Sequence, residues 1–308
     1  MSADGVLRVR GVDKADGTSA DVGIRRSQTV PTVRALPPLV WLNLICLDAP
    51  LVAVVWQELF ARTFGIQLHW PVRAVLFLSA WLIYLADRWL DVLALTPVRP
   101  HAVRQEVWLT RPRSFAALTI IVGSADLLIG CFAMERSVFV SGMVVAVAAV
   151  VYLIMNHSCS GVWSIAPVKE CWVGFVFAAG TVAALVPQIM RGSASLPPLM
   201  FALGLFALLC SLNCISIAVW ETDIDLAQGK VSIATLRPAI GRWLNPFAAI
   251  IIGLTIVAAA TNSNLTRLAV SVGVSAALLR LIPTMPVSRD QRTALADLVL
   301  LTPLLVMR

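Results

Sequence analysis

The chain has few charged residues, and this deficit indicates its class. Only 13% of its 308 residues are Asp, Glu, Lys or Arg, whereas soluble globular proteins have about 25%. Hydrophobic residues make up 59% of the chain, and the mean hydropathy is +0.85. These values exclude an ordinary soluble domain. They predict an all-α protein that crosses the lipid bilayer several times, because helices satisfy their backbone hydrogen bonds internally.

Other features are also absent. No pair of the six cysteines has the CxxC spacing, and no Cys/His cluster indicates a metal site of that kind. The three histidines are scattered near the ends of apolar runs, where we expect interfacial side chains. Residues 1–33 are polar and lack the apolar core of a signal peptide, so they are predicted to form a disordered cytoplasmic tail. The net charge of +7 is explained by membrane topology, and we expect no nucleic-acid partner.

Residues 34–308 are predicted to form one transmembrane domain of about nine helices. The predicted spans are 36–60, 71–93, 114–134, 137–156, 170–190, 192–220, 243–261, 265–281 and 293–306. Lys and Arg are more frequent in the loops that follow the even-numbered spans. The positive-inside rule therefore places the N-terminus in the cytoplasm, and we expect the chain in a bacterial inner membrane.

Two acidic pairs lie at the ends of predicted spans that end on the same side of the membrane. Asp87 and Asp91 are four residues apart near the end of the second span, and Glu221 and Asp225 repeat this spacing after the sixth. That spacing places both carboxylates of a pair on one helix face. A charge at the centre of a membrane helix costs about 2.5–3.5 kcal/mol. Solvated helix ends are one interpretation, but the repetition favours a shared site.

The chemistry of such a site follows from its oxygen atoms. Mg²⁺ prefers oxygen ligands and is usually held by one or two carboxylates together with phosphate oxygens. Two acidic pairs could therefore hold a Mg²⁺-diphosphate, with basic residues on the same side gripping the phosphates. If the diphosphate carries an allylic isoprenoid, its departure leaves a carbocation that the membrane interior shields from water.

Three segments of the chain resemble motifs of the UbiA-type intramembrane prenyltransferases. Asp87-x-x-x-Asp91 followed by Arg99-Pro100 is similar to the first aspartate motif, and the segment 221–232 is similar to the second, DxxxDxxxGKxT. The segment 163–169 resembles a loop of the chlorophyll-synthase-like branch. The matches come in family order, after predicted spans two, four and six. The chain departs from the family pattern at Ile83 (usually Asn), Trp163 (Tyr), Glu221 (Asp) and Ser232 (Thr).

The resemblance implies nine helices around a central cavity and Mg²⁺ as cofactor. It implies that the catalytic, metal-binding residues are Asp87, Asp91, Glu221 and Asp225. It also implies that the residues that contact the diphosphate are Arg99, Lys169 and Lys230. The substrates would be a prenyl diphosphate and a hydrophobic acceptor, either aromatic or lipid.

Three alternatives are compatible with the same residues. A UbiA-like terpene cyclase would use the same carboxylates, with the carbocation attacking its own chain. A transport or non-catalytic membrane protein could use Asp48 and Asp126 in a proton or ion relay, although the acidic pairs cluster at one membrane face. A structural membrane protein with a solvated acidic rim would bind neither Mg²⁺ nor diphosphate.

Overall fold

The computed structural model describes residues 38–94, 103–159, 161–166, 168–192 and 196–307. All the regular secondary structure in these ranges is helical, which confirms the all-α prediction for this part of the chain. The predicted tail 1–33 and Arg99 lie outside the described residues. The α-helices are α1 (Pro38–Leu44), α2 (Asp48–Thr63), α3 (Trp70–Leu93), α4 (Val103–Thr110), α5 (Pro112–Ala133), α6 (Arg136–Ser158), α7 (Gly161–Ile165), α8 (Lys169–Val182), α9 (Val186–Arg191), α10 (Leu196–Trp220), α11 (Thr222–Gln228), α12 (Ile233–Leu236), α13 (Leu244–Thr261), α14 (Thr266–Leu281), α15 (Arg289–Leu298) and α16 (Pro303–Val306).

Five helical segments are long and apolar enough to cross a bilayer, as expected of an integral membrane protein. They are Pro112–Ala133, Arg136–Ser158, Leu196–Trp220, Pro238–Thr261 and Ser263–Thr284. They match predicted spans three, four, six, seven and eight. The second predicted span forms α3, which has 24 residues but is more charged than the five. The count of nine crossings stays a prediction.

Three predicted spans are interrupted, and each interruption precedes a proline in the first turn of the next helix. The first span breaks between α1 and α2 before Pro50, and Cys46 takes the left-handed conformation with φ 57°. The fifth breaks before Pro187, and the ninth breaks before Pro303. Proline lacks the backbone N–H of a continuous helix, but the first turn leaves that N–H unpaired anyway.

Helix α10 is central to the larger of two apolar cores. Two-thirds of its apolar window is buried, and it packs closely against α8, α13 and α14. Trp56 of α2 stacks on Phe206 of α10 with ring centroids 4.1 Å apart. A Cβ at Gly174 of α8 would lie 2.6 Å from the backbone nitrogen of Ser211. Glycine therefore sets the close approach of α8 to α10.

A cavity of about 520 Å³ lies between α2, α3, α5, α6 and α8. Its size falls within the range of about 300–1,000 Å³ that is typical of small-molecule sites. Its α3 wall extends from Val72 to Asp87, which is about 22 Å of helix. Large apolar side chains such as Ile120, Phe132 and Val144 are exposed on α5 and α6. These two helices therefore present apolar surface suited to lipid.

Candidate functional site

The first acidic pair lies in the last two turns of α3 and is unequally partnered. The Nζ of Lys230 donates to Oδ2 of Asp91 at 2.8 Å, and Nη1 of Arg88 lies 3.8 Å from the same oxygen. Asp91 is therefore held between cations. In contrast, the buried Oδ1 of Asp87 has no hydrogen-bond partner. Asp87 also lines the cavity described above, so an oxygen acceptor is available at the charged end of an apolar space.

His157, at the end of α6, joins the aspartates and was not predicted as a site residue. Its Nε2 lies 3.4 Å from Oδ1 of Asp91 and 3.9 Å from Oδ1 of Asp87. Its Nδ1 lies 3.1 Å from the carbonyl oxygen of Leu153, an arrangement that fixes the ring so that Nε2 faces the carboxylates. The sequence predicted an interfacial side chain here; at the end of α6 the side chain is only 12% exposed and faces the first acidic pair.

A glycine turn brings Lys230 to Asp91. Helix α11 ends at Gln228 and is followed by Gly229, which has φ 69°. The N–H of Lys230 donates to the carbonyl oxygen of Asp225 at 2.8 Å, and the N–H of Gly229 donates to that of Leu226 at 3.1 Å. This left-handed helix end favours glycine, which has no Cβ to clash. The Gly229-Lys230 pair therefore reverses the chain and points the ammonium group at the first acidic pair.

The residues after this turn are tied to α12 and α8. Ser232 and Thr235 form a reciprocal capping box at the start of α12, which explains a small hydroxyl residue at position 232. The N–H of Ile233 donates to Oε1 of Glu170 at 3.0 Å, and the Nζ of Lys169 donates to the carbonyl oxygen of Val231 at 3.3 Å. The second motif and the first turn of α8 therefore form one connected layer.

In the second acidic pair Glu221 is buried and Asp225 is partly buried. Glu221 is 8% exposed, and its Oε1 accepts a hydrogen bond from Oγ1 of Thr293 at 3.1 Å. Burial, together with the negative charge of Glu221, raises the pKa of Asp225 to about 6. Asp223, between them in sequence, is exposed and pairs with Nη2 of Arg289 at 2.5 Å. Asp223 thus belongs to the surface rather than to the site.

Basic side chains connect the two acidic pairs electrostatically. Lys169 interacts with both Asp87 and Asp225. Arg88 interacts with Glu221 as well as with the two aspartates of its own helix. Across the same layer, Gln105 of α4 and Gln228 of α11 exchange side-chain hydrogen bonds of 3.3 and 2.9 Å. The structure therefore brings the predicted acidic and basic residues that it describes into one charged cluster.

The donor set of this cluster suits Mg²⁺ that arrives with phosphate. Within the described ranges, no group of three or more His, Cys, Asp or Glu side chains is arranged to hold a metal. The unpartnered oxygen of Asp87 and the partly buried carboxyl of Asp225 are nevertheless the hard oxygen donors that Mg²⁺ prefers. One or two carboxylates suffice when phosphate oxygens and water complete the shell. Without phosphate, the described side chains do not supply enough ligands to hold a metal ion.

Asp48 and Asp126, which a proton or ion relay would use, both have hydrogen-bond partners on neighbouring segments. Oδ2 of Asp48 accepts from Nδ2 of Asn43 at 2.7 Å, and Oδ2 of Asp126 accepts from Oγ of Ser79 at 2.7 Å. Asp48 is buried at the start of α2, while Asp126 lines the cavity. Asp126 thus shares a cavity with Asp87, a link that the sequence did not indicate.

No protein-family model and no curated protein matches this chain.

Proposed function

We propose that the protein is a Mg²⁺-dependent intramembrane prenyltransferase of the UbiA type. It would move an isoprenoid group from a prenyl diphosphate to an aromatic or lipid acceptor. The position of Asp87 supports this best, because the residue belongs both to the charged cluster and to the wall of the apolar cavity. An anionic head and a long apolar tail are the two halves of a prenyl diphosphate, and these two environments lie side by side.

The charged residues have separable roles in this proposal. Asp87, Asp91, Glu221 and Asp225 would hold Mg²⁺, which supplies charge neutralisation to the departing diphosphate when bound. Lys169 and Lys230 would contact phosphate oxygens, as would Arg99, which lies outside the described residues. The bond between the first isoprenoid carbon and the diphosphate oxygen breaks, and the electron pair leaves with the diphosphate. The acceptor then forms a bond to that carbon and releases a proton.

The cavity walls would protect the cationic carbon from water. The lining is predominantly apolar, and Tyr84 and Tyr152 add aromatic rings near the Asp87 end. Trp163 of α7 packs against Tyr152 with ring centroids 6.2 Å apart. Exclusion of water strengthens electrostatic interactions in the site and prevents hydrolysis of the reactive group.

The proposal includes nine membrane crossings, a cytoplasmic N-terminus and a bacterial inner membrane. Indole groups support the inclusion of the interrupted first and ninth spans. Nε1 of Trp108 donates to the carbonyl oxygen of Leu44 at 3.1 Å, and Nε1 of Trp81 donates to that of Ile45 at 2.9 Å. Nε1 of Trp56 donates to the carbonyl oxygen of Leu300 at 2.7 Å. Irregular backbone is tolerated at membrane depth where protein groups satisfy it in this way.

Product analysis tests the proposal. Purified protein in nanodiscs would be incubated with labelled prenyl diphosphates, Mg²⁺ and a lipid extract of bacterial membranes. We expect Mg²⁺-dependent transfer of label to a larger hydrophobic molecule, with loss of transfer in Asp225→Asn. Asp223→Asn is the matched control, because this neighbouring carboxylate faces Arg289 at the surface.

Other outcomes would change the assignment. A labelled hydrocarbon that forms without any acceptor would instead indicate a terpene cyclase. Unchanged prenyl diphosphate in the presence of folded protein, Mg²⁺ and extract would contradict both chemistries.

A further inference from the structure

Besides Asp87, two residues of the cavity wall have a buried oxygen acceptor without a hydrogen-bond partner. Gln57 of α2 is 1% exposed, and its Oε1 is unpartnered. Asp126 of α5 accepts from Ser79 through Oδ2, but its buried Oδ1 is also unpartnered. Both residues line the same cavity as Asp87. Buried polar atoms usually have partners, so two orphans in one cavity indicate a ligand group that donates to them.

These acceptors lie away from the charged cluster. Ser79, which bonds Asp126, precedes Asp87 by eight residues on α3, a separation of about 12 Å along the helix. Gln57 adjoins Glu58, whose Oε2 pairs with Nη2 of Arg73 near the opposite end of α3 at 2.9 Å. The cavity therefore has a charged end at Asp87 and separate polar groups farther along α3.

We propose that Asp126, with Gln57 as a second acceptor in the same cavity wall, binds a hydroxyl group of the ligand. The ligand class is an amphiphile with an anionic group near Asp87 and a hydroxyl about 12 Å deeper along α3. The inference rests on the proposed function only for the anionic end. A purely apolar chain would leave both acceptors unpartnered, and burial of unpartnered acceptors weakens binding relative to a ligand that donates to them.

The hydroxyl could be carried by the isoprenoid chain itself or by the acceptor molecule. The interaction at Gln57 and Asp126 is the same in both cases, because either molecule would supply an O–H group that donates to an oxygen of the cavity wall. The two sources differ in whether the hydroxyl and the anionic group belong to one molecule. Probes with and without a phosphate therefore distinguish them.

The test compares two probes that differ by one hydroxyl, decyl phosphate and ω-hydroxydecyl phosphate, on the full chain in nanodiscs. We expect the hydroxylated probe to bind wild-type protein about fivefold more tightly, because its single O–H donates one additional hydrogen bond. Asp126→Leu should reduce this ratio towards one, and Gln57→Leu should do so instead if the hydroxyl donates to Gln57. Lys230→Gln should weaken both probes equally and leave the ratio unchanged. Asp223→Asn, at the exposed ion pair with Arg289 and outside the cavity, should change neither affinity.

A neutral probe separates this inference from the phosphate site. A decanol with a photoreactive diazirine should label residues around Ser79 and Asp126 in wild-type protein, and Asp126→Leu should lose that labelling. If this occurs while neither phosphate probe binds, the hydroxyl site stands and the diphosphate function falls. If decanol labels the protein but the two phosphate probes bind with equal affinity, the hydroxyl belongs to a separate molecule, the acceptor substrate. Equal affinity for both phosphates without decanol labelling overturns the inference, since water alone would then satisfy the two acceptors.

Discussion

Replacing Lys230 by Gln tests whether the two motifs are joined by a genuine ion pair. The Lys230 and Asp91 side chains are 26% and 14% exposed, with 2.8 Å between Nζ and Oδ2. Breaking a fully buried pair costs about 3–5 kcal/mol, whereas hydrogen bonds to charged groups contribute about 1.5–3 kcal/mol. Lys230 is partly exposed, and Arg88 remains 3.8 Å from the same oxygen. We therefore expect a coupling free energy of about 2 kcal/mol.

A double-mutant cycle of Lys230→Gln and Asp91→Asn measures this coupling directly. The free energy of unfolding would be obtained by titrating SDS into mixed micelles. Asp223 and Arg289 provide the control, because this pair is closer, at 2.5 Å, but is 67% and 39% exposed. Exposed pairs contribute about 0.2–1 kcal/mol. A coupling for Lys230 and Asp91 no larger than that of the exposed pair would refute the reasoning.

Two further predictions concern packing and protonation. Gly174→Ala should lower the free energy of unfolding by about 1–3 kcal/mol, because its Cβ would meet Ser211 at 2.6 Å. Gly204→Ala in α10 meets nothing within 4 Å and should be neutral or stabilising in the same SDS titration. The pKa of Asp225 is raised to about 6 by burial and by Glu221, so protons compete with Mg²⁺ below that pH. Apparent Mg²⁺ affinity, measured by calorimetry with diphosphate present, should fall by up to about tenfold per pH unit below 6. A flat profile from pH 7 to 5 would contradict a metal-binding role for this carboxylate.

Local sequence features predicted the elements better than the contacts between them. The second span was predicted at 71–93, and α3 occupies Trp70–Leu93, because its apolar run has clear ends. The breaks before Pro50, Pro187 and Pro303 were missed, since apolar composition continues through them. Each proline was nevertheless a readable signal of a helix start.

The candidate functional site also shows that contacts between helices are harder to predict from sequence than the helices themselves. The i, i+4 spacing predicted that Asp87 and Asp91 share a face, and both lie with Lys230 in one cluster. His157 was missed because it meets them from another helix, about 70 residues later in sequence. A usable signal existed, since predicted spans two and four end on the same membrane side. The unpartnered oxygens of Gln57 and Asp126 were beyond prediction, because the partners of a buried group depend on tertiary packing.

The most direct test of the central claim is Mg²⁺-dependent binding of labelled geranyl, farnesyl and geranylgeranyl diphosphates to the protein in nanodiscs. We predict binding only with Mg²⁺, its loss in both Asp87→Asn and Asp225→Asn, and its retention in Asp223→Asn. Failure of folded wild-type protein to bind any of the three, or binding that survives both substitutions, would contradict a prenyl diphosphate site at these carboxylates.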